Sequence, residues 1–250
     1  MRWKTAISTH KNGELYVRGV ALTKLLKNYS FADGIFLLFS DRLPKKNERE
    51  LLDLVLLACV EHGVEAPSAF VPRVVVSTGN SMNAALAAGA LAIGDFHGGA
   101  IEQCAKILQS NVSAEGIVNY ALTAHERIPG YGHKIYKDKD PRAEFIVARA
   151  KKLKLGGKYF EKAVAIRQLL KKNGKLLPLN IDGAIAAAIS ELGLDWRLGK
   201  AFFVLGRMPG MIAHAREEML REKPYRRFEA EDVDYDGPKP GVKPKKAKKK

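Results

Sequence analysis

The fold is decided first by the stretch NERELLDLVLLACVEHG, residues 47–63. Its apolar residues recur at helical spacing, and Glu50 stands three residues after Asn47, as in the capping box that begins many helices. Gly63 then fits the position just beyond a helix end. The pattern therefore predicts an amphipathic helix starting at Asn47 and ending before Gly63.

Helical spacing continues on both sides of this stretch. Two shorter helices are expected before it, at residues 20–26 and from residue 32 to Pro44. Further helices are expected at residues 101–108, 114–123, 141–154, 160–173, 183–192 and 197–221. Alternating apolar strands are nearly absent, and only residues 15–20 and 70–76 fit one weakly. The chain is predicted to be all-α, with irregular loops at residues 94–100, 128–142 and 174–183.

Length and composition favour an ordinary globular protein. A chain of 250 residues suits one large domain, or two that share a cleft. With 46% hydrophobic and 28% charged residues, a wholly disordered or fibrous chain is excluded. Cys59 and Cys104 lie in apolar surroundings without C-x-x-C spacing, which argues against a disulfide scaffold or a zinc ribbon. We expect both to be buried, reduced thiols.

The net charge of +15 raises the question of a nucleic-acid or membrane partner. Seven of the lysines fall in PKPGVKPKKAKKK, residues 238–250, and subtracting them leaves +8. This Lys-rich segment has too few apolar residues to fold, so we expect a disordered tail. It also lacks aromatic residues for stacking on bases, so no specific nucleic-acid partner is predicted. The remaining positive charge suits an acidic small-molecule substrate.

Neither a signal peptide nor a membrane span is predicted. The basic N-terminus is followed by His10, Lys11 and Glu14, where a signal peptide would have an apolar core. Residues 74–94 lack charge over a length that could span a bilayer, but Ser, Thr and Asn interrupt them. Their Ala and Gly content suits a helix packed closely within protein. We expect a cytoplasmic protein.

The residues able to carry chemistry lie in or near the loops. In GDFHGGA, His97 stands beside two glycines, which let the backbone approach a ligand closely. In IPGYGHKIYKDKDPRA, His133 follows a Gly-rich bend and Arg142 opens the next helix. Asp182 begins an apolar helix, and Arg207 lies in a helix interrupted by Gly and Pro. A turn or a helix cap explains each residue singly, but together they indicate a catalytic site.

In order and spacing, the motifs HGGA, GxGHxxYKxxDPRA, NxDG and GRxxGxIAH resemble those of the citrate synthase superfamily. The resemblance extends from about residue 14 to residue 237 and includes the opening LYVRG and FADGIFLLFSDRLP. It implies a citrate-synthase-like, all-α homodimer. It also implies a large helical domain of residues 1–100 and 193–237 and a smaller inserted domain of residues 101–192, which close over the substrates.

The same resemblance implies a role for each site residue. Asp182 would be the base that removes a methyl proton from an acetyl thioester, and His97 would donate to the enol(ate) oxygen. His133 would hydrogen-bond the ketone of oxaloacetate, or take the hydroxyl proton of citryl-CoA. The stretch CVEHGVEAPSAFVP resembles the segment whose histidine binds oxaloacetate, and that histidine is His62 here.

Binding residues follow from the family's positively charged positions. Arginine matches carboxylates bidentately, and Arg142 and Arg207 match carboxylate-binding positions. Arg226 best matches the arginine supplied by the neighbouring subunit, with Arg227 as its rival. The candidates for binding the phosphates of coenzyme A are Lys134, Lys137 and Lys139. The alternative is that these lysines form a solvated loop face and have no such role.

Two departures point to different members of the superfamily. Asp182 is followed by Gly183 and the N-terminal part is short, as in the citryl-CoA lyase module that ends ATP-citrate lyase. That module commonly has Phe at the position of His97. The leading prediction is a citryl-CoA lyase. The alternatives are a citrate synthase or methylcitrate-type relative, and a non-catalytic, polyanion-binding helical protein.

The remaining predictions concern cofactors and partners. The substrate is expected to be a coenzyme A thioester, with no metal and no bound redox cofactor, because no cluster has metal-ligand spacing. No P-loop is present, so a lyase would need citryl-CoA from a separate citryl-CoA synthetase. His214 lies on an apolar helix face and is expected only to pack.

Overall fold

The computed structural model describes residues 2–238 and residue 241, and within them the chain is mostly helical. The rest of the Lys-rich segment 238–250 lies outside the described residues. The helices are α1 Leu22–Asn28, α2 Phe31–Ser40, α3 Lys46–Ala58, α4 Pro67–Ser77, α5 Met82–Leu91, α6 Gly99–Gln109, α7 Ala114–Thr123, α8 Pro141–Lys152, α9 Lys158–Lys172, α10 Ile181–Glu191 and α11 Gly199–Arg221. The all-α prediction is confirmed.

A small antiparallel sheet precedes the helices. Its strands are β1 Ser8–Lys11, β2 Glu14–Val17 and β3 Val20–Ala21, paired in that order. Asn12 and Gly13 both have positive φ, at 51° and 79°, and form the two-residue turn between β1 and β2. The helix expected from residue 20 therefore begins only at Leu22, because the preceding residues pair with β2.

The strand expected at residues 70–76 is wrong, because this stretch belongs to α4. Pro67 occupies the first turn of that helix, where its missing N–H costs nothing. Ala69, Arg73 and Val76 are buried at spacings of three and four residues, which is the period of a helix. The helix packs against α5 and α11 and so lies within the helical body.

The boundaries of α3 also differ from the prediction. The helix begins at Lys46, and Glu48, instead of Glu50, accepts a hydrogen bond from the Lys45 backbone N–H at 2.7 Å. Glu48 is also held by both terminal nitrogens of Arg42, at 2.8 and 2.7 Å, which fixes it at the helix start. The helix ends at Ala58, so residues 59–66 form a loop.

The core is built around α10. Every residue from Gly183 to Ser190 is buried, and the helix contacts α3, α6, α8 and α9. Alanines make this possible, because small side chains allow several helices to approach one axis closely. Cys59 and Cys104 are buried and unbridged, as expected, and burial raises the pKa of each thiol to about 12.

The uncharged stretch 74–94 is two helices, since α4 ends at Ser77 and α5 begins at Met82. Within the described residues, no helix combines the length and the apolar character needed to cross a bilayer.

Candidate active site

A cavity of about 200 Å³ opens at the N-terminal end of α10. It brings together residues that are far apart in sequence and come from α8, α10, α11 and the loops before α4, α6 and α8. Six residues singled out from the sequence line it: His62, His97, His133, Arg142, Asp182 and Arg207.

Asp182 faces this cavity and is free to react because another residue caps its helix. The Asn180 side chain accepts the hydrogen bond from the Gly183 N–H at 3.1 Å, which is the N-cap contact. Within the described residues, the Asp182 carboxylate makes no hydrogen bond and no salt bridge. Burial raises its pKa, although Arg142 nearby acts in the opposite direction. An acid of this kind holds a proton more readily than an exposed aspartate.

Paired loops bring the segment that carries His133 to the start of α10. The Asn180 N–H donates to the Gly130 carbonyl at 3.0 Å, and the Gly132 N–H donates to the Pro178 carbonyl at 2.8 Å. Gly130 has a φ of +87°, and a Cβ there would lie 2.8 Å from the Gly183 Cα. A Cβ on Gly183 would in turn lie 2.5 Å from the Gly130 carbonyl oxygen. The glycines of GYG and of NIDG thus permit one another's close approach.

The hydrogen bonds of His133 fix its tautomer. Its Nδ1 accepts from the backbone N–H groups of Ile135 and Tyr136, both at 3.1 Å. We therefore assign the proton of the neutral ring to Nε2. A terminal nitrogen of Arg142 lies 3.2 Å from that Nε2. Since both atoms are donors, the pair is arranged to bind one acceptor oxygen of a ligand.

Asp140 orients Arg142, and the sequence did not single it out. Its buried carboxylate accepts from the Arg142 Nε at 3.0 Å and from the Arg142 Nη2 at 2.9 Å. It also accepts from the Ile181 N–H at 3.1 Å, which ties the start of α8 to the start of α10. Burial favours a higher pKa for Asp140, but these hydrogen bonds outweigh it and lower the pKa. Asp140 is therefore an anion that holds the Arg142 guanidinium in place.

Hydrogen bonds through the buried residues Arg207 and Ser68 fix the orientation of His97. Arg207, with 2% of its surface exposed, donates to the Cys59 carbonyl at 2.6 Å and to the Ser68 Oγ at 3.0 Å. The same Oγ lies 2.9 Å from the His97 Nε2. Because the Oγ accepts from Arg207, its own proton is available to Nε2, and we assign the imidazole proton to Nδ1. Ser68 was not found from the sequence, since a serine in an apolar helix start carries no distinguishing signal.

His97 is arranged as a neutral hydrogen-bond donor. Burial lowers its pKa, and the positive charge of Arg207 lowers it further. The ring stands edge-to-face with Phe203, with centroids 5.3 Å apart. A neutral imidazole with its proton on Nδ1 can stabilise an oxyanion through that N–H.

The cavity is rich in positively charged groups and hydrogen-bond donors. Within the described residues, no carboxylate lies within 4 Å of the Arg207 guanidinium, and Asp182 is the one acidic residue in the lining. A buried cation that hydrogen-bonds only to neutral groups favours binding of an anion. Together with Arg142, His62 and His133, Arg207 makes the cavity suited to a ligand with several carboxylates.

The other predicted binding residues lie outside the cavity. Arg226 donates to Glu218, with nitrogen–oxygen distances of 2.8 and 2.6 Å, and Arg227 is exposed. The structure describes one chain, so the approach of Arg226 to a neighbour's site stays a prediction. The three candidate lysines are exposed on the segment that follows His133. One of them, Lys139, also lines a separate cavity of about 290 Å³ with Arg167 and Lys171.

Comparison with known families adds independent evidence. Residues 44–228 match the family model described as citrate synthase, C-terminal domain. Citrate synthase 2 of Bacillus subtilis is 30% identical over 88% of this chain and 60% of its own length. The chain spans about half to three fifths of the length of the curated citrate synthases it matches.

Two solved structures are similar over nearly the whole chain. Citryl-CoA lyase from Hydrogenobacter thermophilus superposes with a TM-score of 0.92 at 43% identity, covering 97% of both chains. ATP citrate lyase from Methanothrix soehngenii, solved with citrate and coenzyme A, gives a TM-score of 0.81 at 25% identity, covering 95% of this chain and 42% of that one.

Proposed function

The chain belongs to the citrate synthase family, and from that premise we propose that it cleaves citryl-CoA to acetyl-CoA and oxaloacetate. The observation that carries the proposal is the free Asp182 carboxylate, which lines one cavity with His97, His133 and two arginines. Similarity to a citryl-CoA lyase over 97% of both chains supports this direction of reaction.

Binding of the citryl part would rely on the cationic lining. Arg142, oriented by Asp140, and the buried Arg207 would each bind a carboxylate, with His62 as a further donor at the cavity edge. The His133 Nε2–H and Arg142 would bind the oxygen that becomes the ketone of oxaloacetate. The two backbone donors on the His133 Nδ1 favour this donor role. The hydroxyl proton would then be taken by the Asp182 carboxylate, the one acidic group in the described lining, as the carbon–carbon bond breaks.

Cleavage of the carbon–carbon bond would leave acetyl-CoA as its enol(ate). The His97 Nδ1–H would stabilise the negative oxygen, because burial and the charge of Arg207 lower the pKa of the ring and the contact with Ser68 orients it. Asp182 would then deliver a proton to the methylene carbon and form the methyl group. Its raised pKa supports this step, since the acid must hold the proton until the enol(ate) forms.

Citrate synthase activity, or that of a methylcitrate-type relative, is the second candidate. The curated relative from Bacillus subtilis is named a citrate synthase, and the same side chains would serve the condensation of acetyl-CoA with oxaloacetate. The two activities differ in the fate of the thioester, since a synthase hydrolyses citryl-CoA whereas a lyase must protect it from water.

Product analysis distinguishes these activities. Purified protein would be given citryl-CoA, and acetyl-CoA, oxaloacetate, citrate and free thiol would be measured. We expect acetyl-CoA and oxaloacetate in equal amounts, formed faster than acetyl-CoA and oxaloacetate condense to citrate. Release of mainly citrate and free coenzyme A would exclude the lyase and favour the synthase. Absence of turnover in either direction would favour a non-catalytic role.

We also propose that the active unit is a homodimer whose interface is formed by residues 78–94 and neighbouring helices. Small side chains on the outer face of α5 support close helix packing there, and Leu91 is 85% exposed at the end of that helix. The Arg226 side chain would then leave Glu218 and reach into the cavity of the partner subunit. The cavity draws His62, His97 and Arg207 from the proposed large domain and His133, Arg142 and Asp182 from the small one, which supports closure around the substrate.

Subunit mixing tests this assembly. Asp182→Asn subunits mixed with Arg226→Ala subunits should regain part of the activity, because one site of each hybrid dimer would have both residues intact. Each variant alone serves as the inactive control. A fully active monomer in sedimentation, or hybrid dimers without activity, would contradict the proposal.

The remaining parts of the proposal concern the surroundings of the enzyme. Citryl-CoA would come from a separate synthetase, and Lys134, Lys137 and Lys139 would contact the phosphates of coenzyme A. The cytoplasmic location stays a prediction.

A further inference from the structure

His62 lies in the loop between α3 and α4, and its backbone is held by the residue before it. The Glu61 Oε1 accepts from the His62 N–H at 2.8 Å and from the Gly63 N–H at 2.7 Å. Burial favours a higher pKa for Glu61, but the His62 N–H, His214 and the Gly63 N–H outweigh it and lower the pKa. A carboxylate that gathers two successive peptide N–H groups fixes the direction of the chain at that point.

The carboxylate of Glu61 is itself anchored to α11. The His214 Nε2 lies 3.2 Å from the same Oε1, and only 15% of the His214 side chain is exposed. Within the described residues, the other ring nitrogen, Nδ1, is buried and has no hydrogen-bond partner. The contact with Glu61 is thus the polar contact that orients this ring, and His214 does more than pack.

Close backbone contact brings α11 to this loop. A Cβ on Gly210 would lie 2.4 Å from the Val60 carbonyl oxygen and 2.6 Å from the Glu61 Oε2. One turn earlier, the Arg207 Nε donates to the Cys59 carbonyl. Arg207, Gly210 and His214 therefore present one face of α11 to residues 59–63, and Arg207 and His62 both reach the cavity from this junction.

We propose that Glu61 and His214 are positioning residues that set the place of the His62 imidazole relative to Arg207. The proposal rests on the proposed function, because it gives His62 a substrate carboxylate or keto oxygen to bind. His214 anchors Glu61, Glu61 fixes the peptide of His62, and α11 supplies Arg207 from the same face. Binding of the citryl group, more than the chemical step, depends on this arrangement.

Two substitutions at His214 separate positioning from packing. His214→Phe keeps a ring of similar size but removes the donor. His214→Gln keeps an N–H near the position of Nε2. We expect His214→Phe to raise KM for citryl-CoA about tenfold and to change kcat less than about twofold, since loss of one charge-assisted hydrogen bond is of this size. His214→Gln should restore KM to within about threefold of the wild-type value.

Amide hydrogen exchange gives a second readout that needs no turnover. In His214→Phe, exchange should accelerate about tenfold at residues 62 and 63, while helices α4 and α11 keep their protection. Glu61→Gln should raise KM similarly, and the double variant should be little worse than either single one, because both act through one contact. His10→Phe, on the exposed strand β1, is the matched control.

Each outcome decides a separate question. Unchanged KM and unchanged exchange in His214→Phe would overturn the positioning role. Faster exchange throughout α4 and α11, or a fall in kcat at constant KM, would show a structural or chemical role instead. If the wild-type protein does not turn over citryl-CoA, the proposed function fails, while exchange at residues 62 and 63 still tests the link between His214 and the loop.

Discussion

Two acidic side chains, Glu218 in α11 and Asp182 in α10, have opposite surroundings. Glu218, 2% exposed, lies between two arginines, with the Arg73 Nε at 2.7 Å and the Arg226 Nη2 at 2.6 Å. Asp182 lines the cavity and has no such partner among the described residues. Burial acts against the charge of both, yet hydrogen bonds from Arg226 and Arg73 lower the pKa of Glu218, whereas the pKa of Asp182 is raised. A paired acid stabilises the fold, while an unpaired one is available for chemistry.

The largest expected effect is on catalysis at Asp182. Asp182→Asn should lower kcat for citryl-CoA cleavage by about 10³-fold, because an amide of similar size cannot deliver the proton. The free energy of unfolding should not fall, since the substitution removes a buried charge without a partner. Steady-state kinetics and chemical denaturation check both parts. Undiminished turnover would exclude Asp182 as the acid–base residue.

The paired acid should show the reverse behaviour. Glu218→Gln should lower the free energy of unfolding by about 1.5–3 kcal/mol, because Arg73 would lose its hydrogen-bonded charge partner and keep only Glu217 and Glu222, each 3.8 Å away. Urea denaturation measures the change. Glu229→Gln, at an exposed position, is the matched control and should stay within about 0.5 kcal/mol of the wild type. Equal stabilities of the two variants would show that the Arg73–Glu218–Arg226 cluster is not structural.

His97 tests whether the cavity stabilises an oxyanion. His97→Ala should lower kcat by about 10²-fold, as expected when one donor to a developing negative charge is lost. Ser68→Ala should lower kcat less, because it removes the group that orients His97 but leaves the imidazole in place. If His97→Ala raises KM alone, His97 only positions the substrate.

The stability of the fold should also depend on pH through Glu218. Its folded pKa is lowered from the ordinary value of 4.5, so its stabilisation is complete above pH 4.5 and is lost as the pH falls through the lower folded value. The difference in unfolding free energy between wild type and Glu218→Gln should therefore shrink as the pH falls below 4.5. Denaturation curves across this range check the prediction, and a constant difference would contradict it.

The sequence predicted most helices because their apolar spacing is local information. The helix at residues 114–123 has the predicted bounds, and the Ala-rich α10 begins two residues before its predicted start. Strand β1 was missed because all four of its residues are exposed, so no apolar alternation marks it. Residues 70–76 suggested a strand because five of them are apolar and β-branched or aromatic, but Pro67 and contacts with α5 and α11 favour a helix.

The six cavity residues could be named from motif order, whereas their supports could not. Ser68 and Asp140 both lie within the quoted motifs, but their contacts with His97 and with the Ile181 N–H are made only by the fold, so the sequence assigns them no role. His214 has apolar neighbours along its helix, which suggested packing, while its partner Glu61 lies on a distant loop. The helix cap of α10 could not be predicted either. Asn180 and Asp182 are both residue types that cap helices, and only the geometry shows that Asn180 is the cap.

Deuterium labelling of the products tests directly whether Asp182 protonates an enol(ate) formed by carbon–carbon bond cleavage. Citryl-CoA would be turned over in D₂O, and the products would be analysed by NMR and mass spectrometry. We expect acetyl-CoA with one deuterium in its methyl group, together with oxaloacetate, and about 10³-fold slower formation of both by Asp182→Asn. Two results would contradict this role of Asp182. One is release of citrate and free coenzyme A without carbon-bound deuterium, and the other is an unchanged rate of deuterium incorporation in Asp182→Asn.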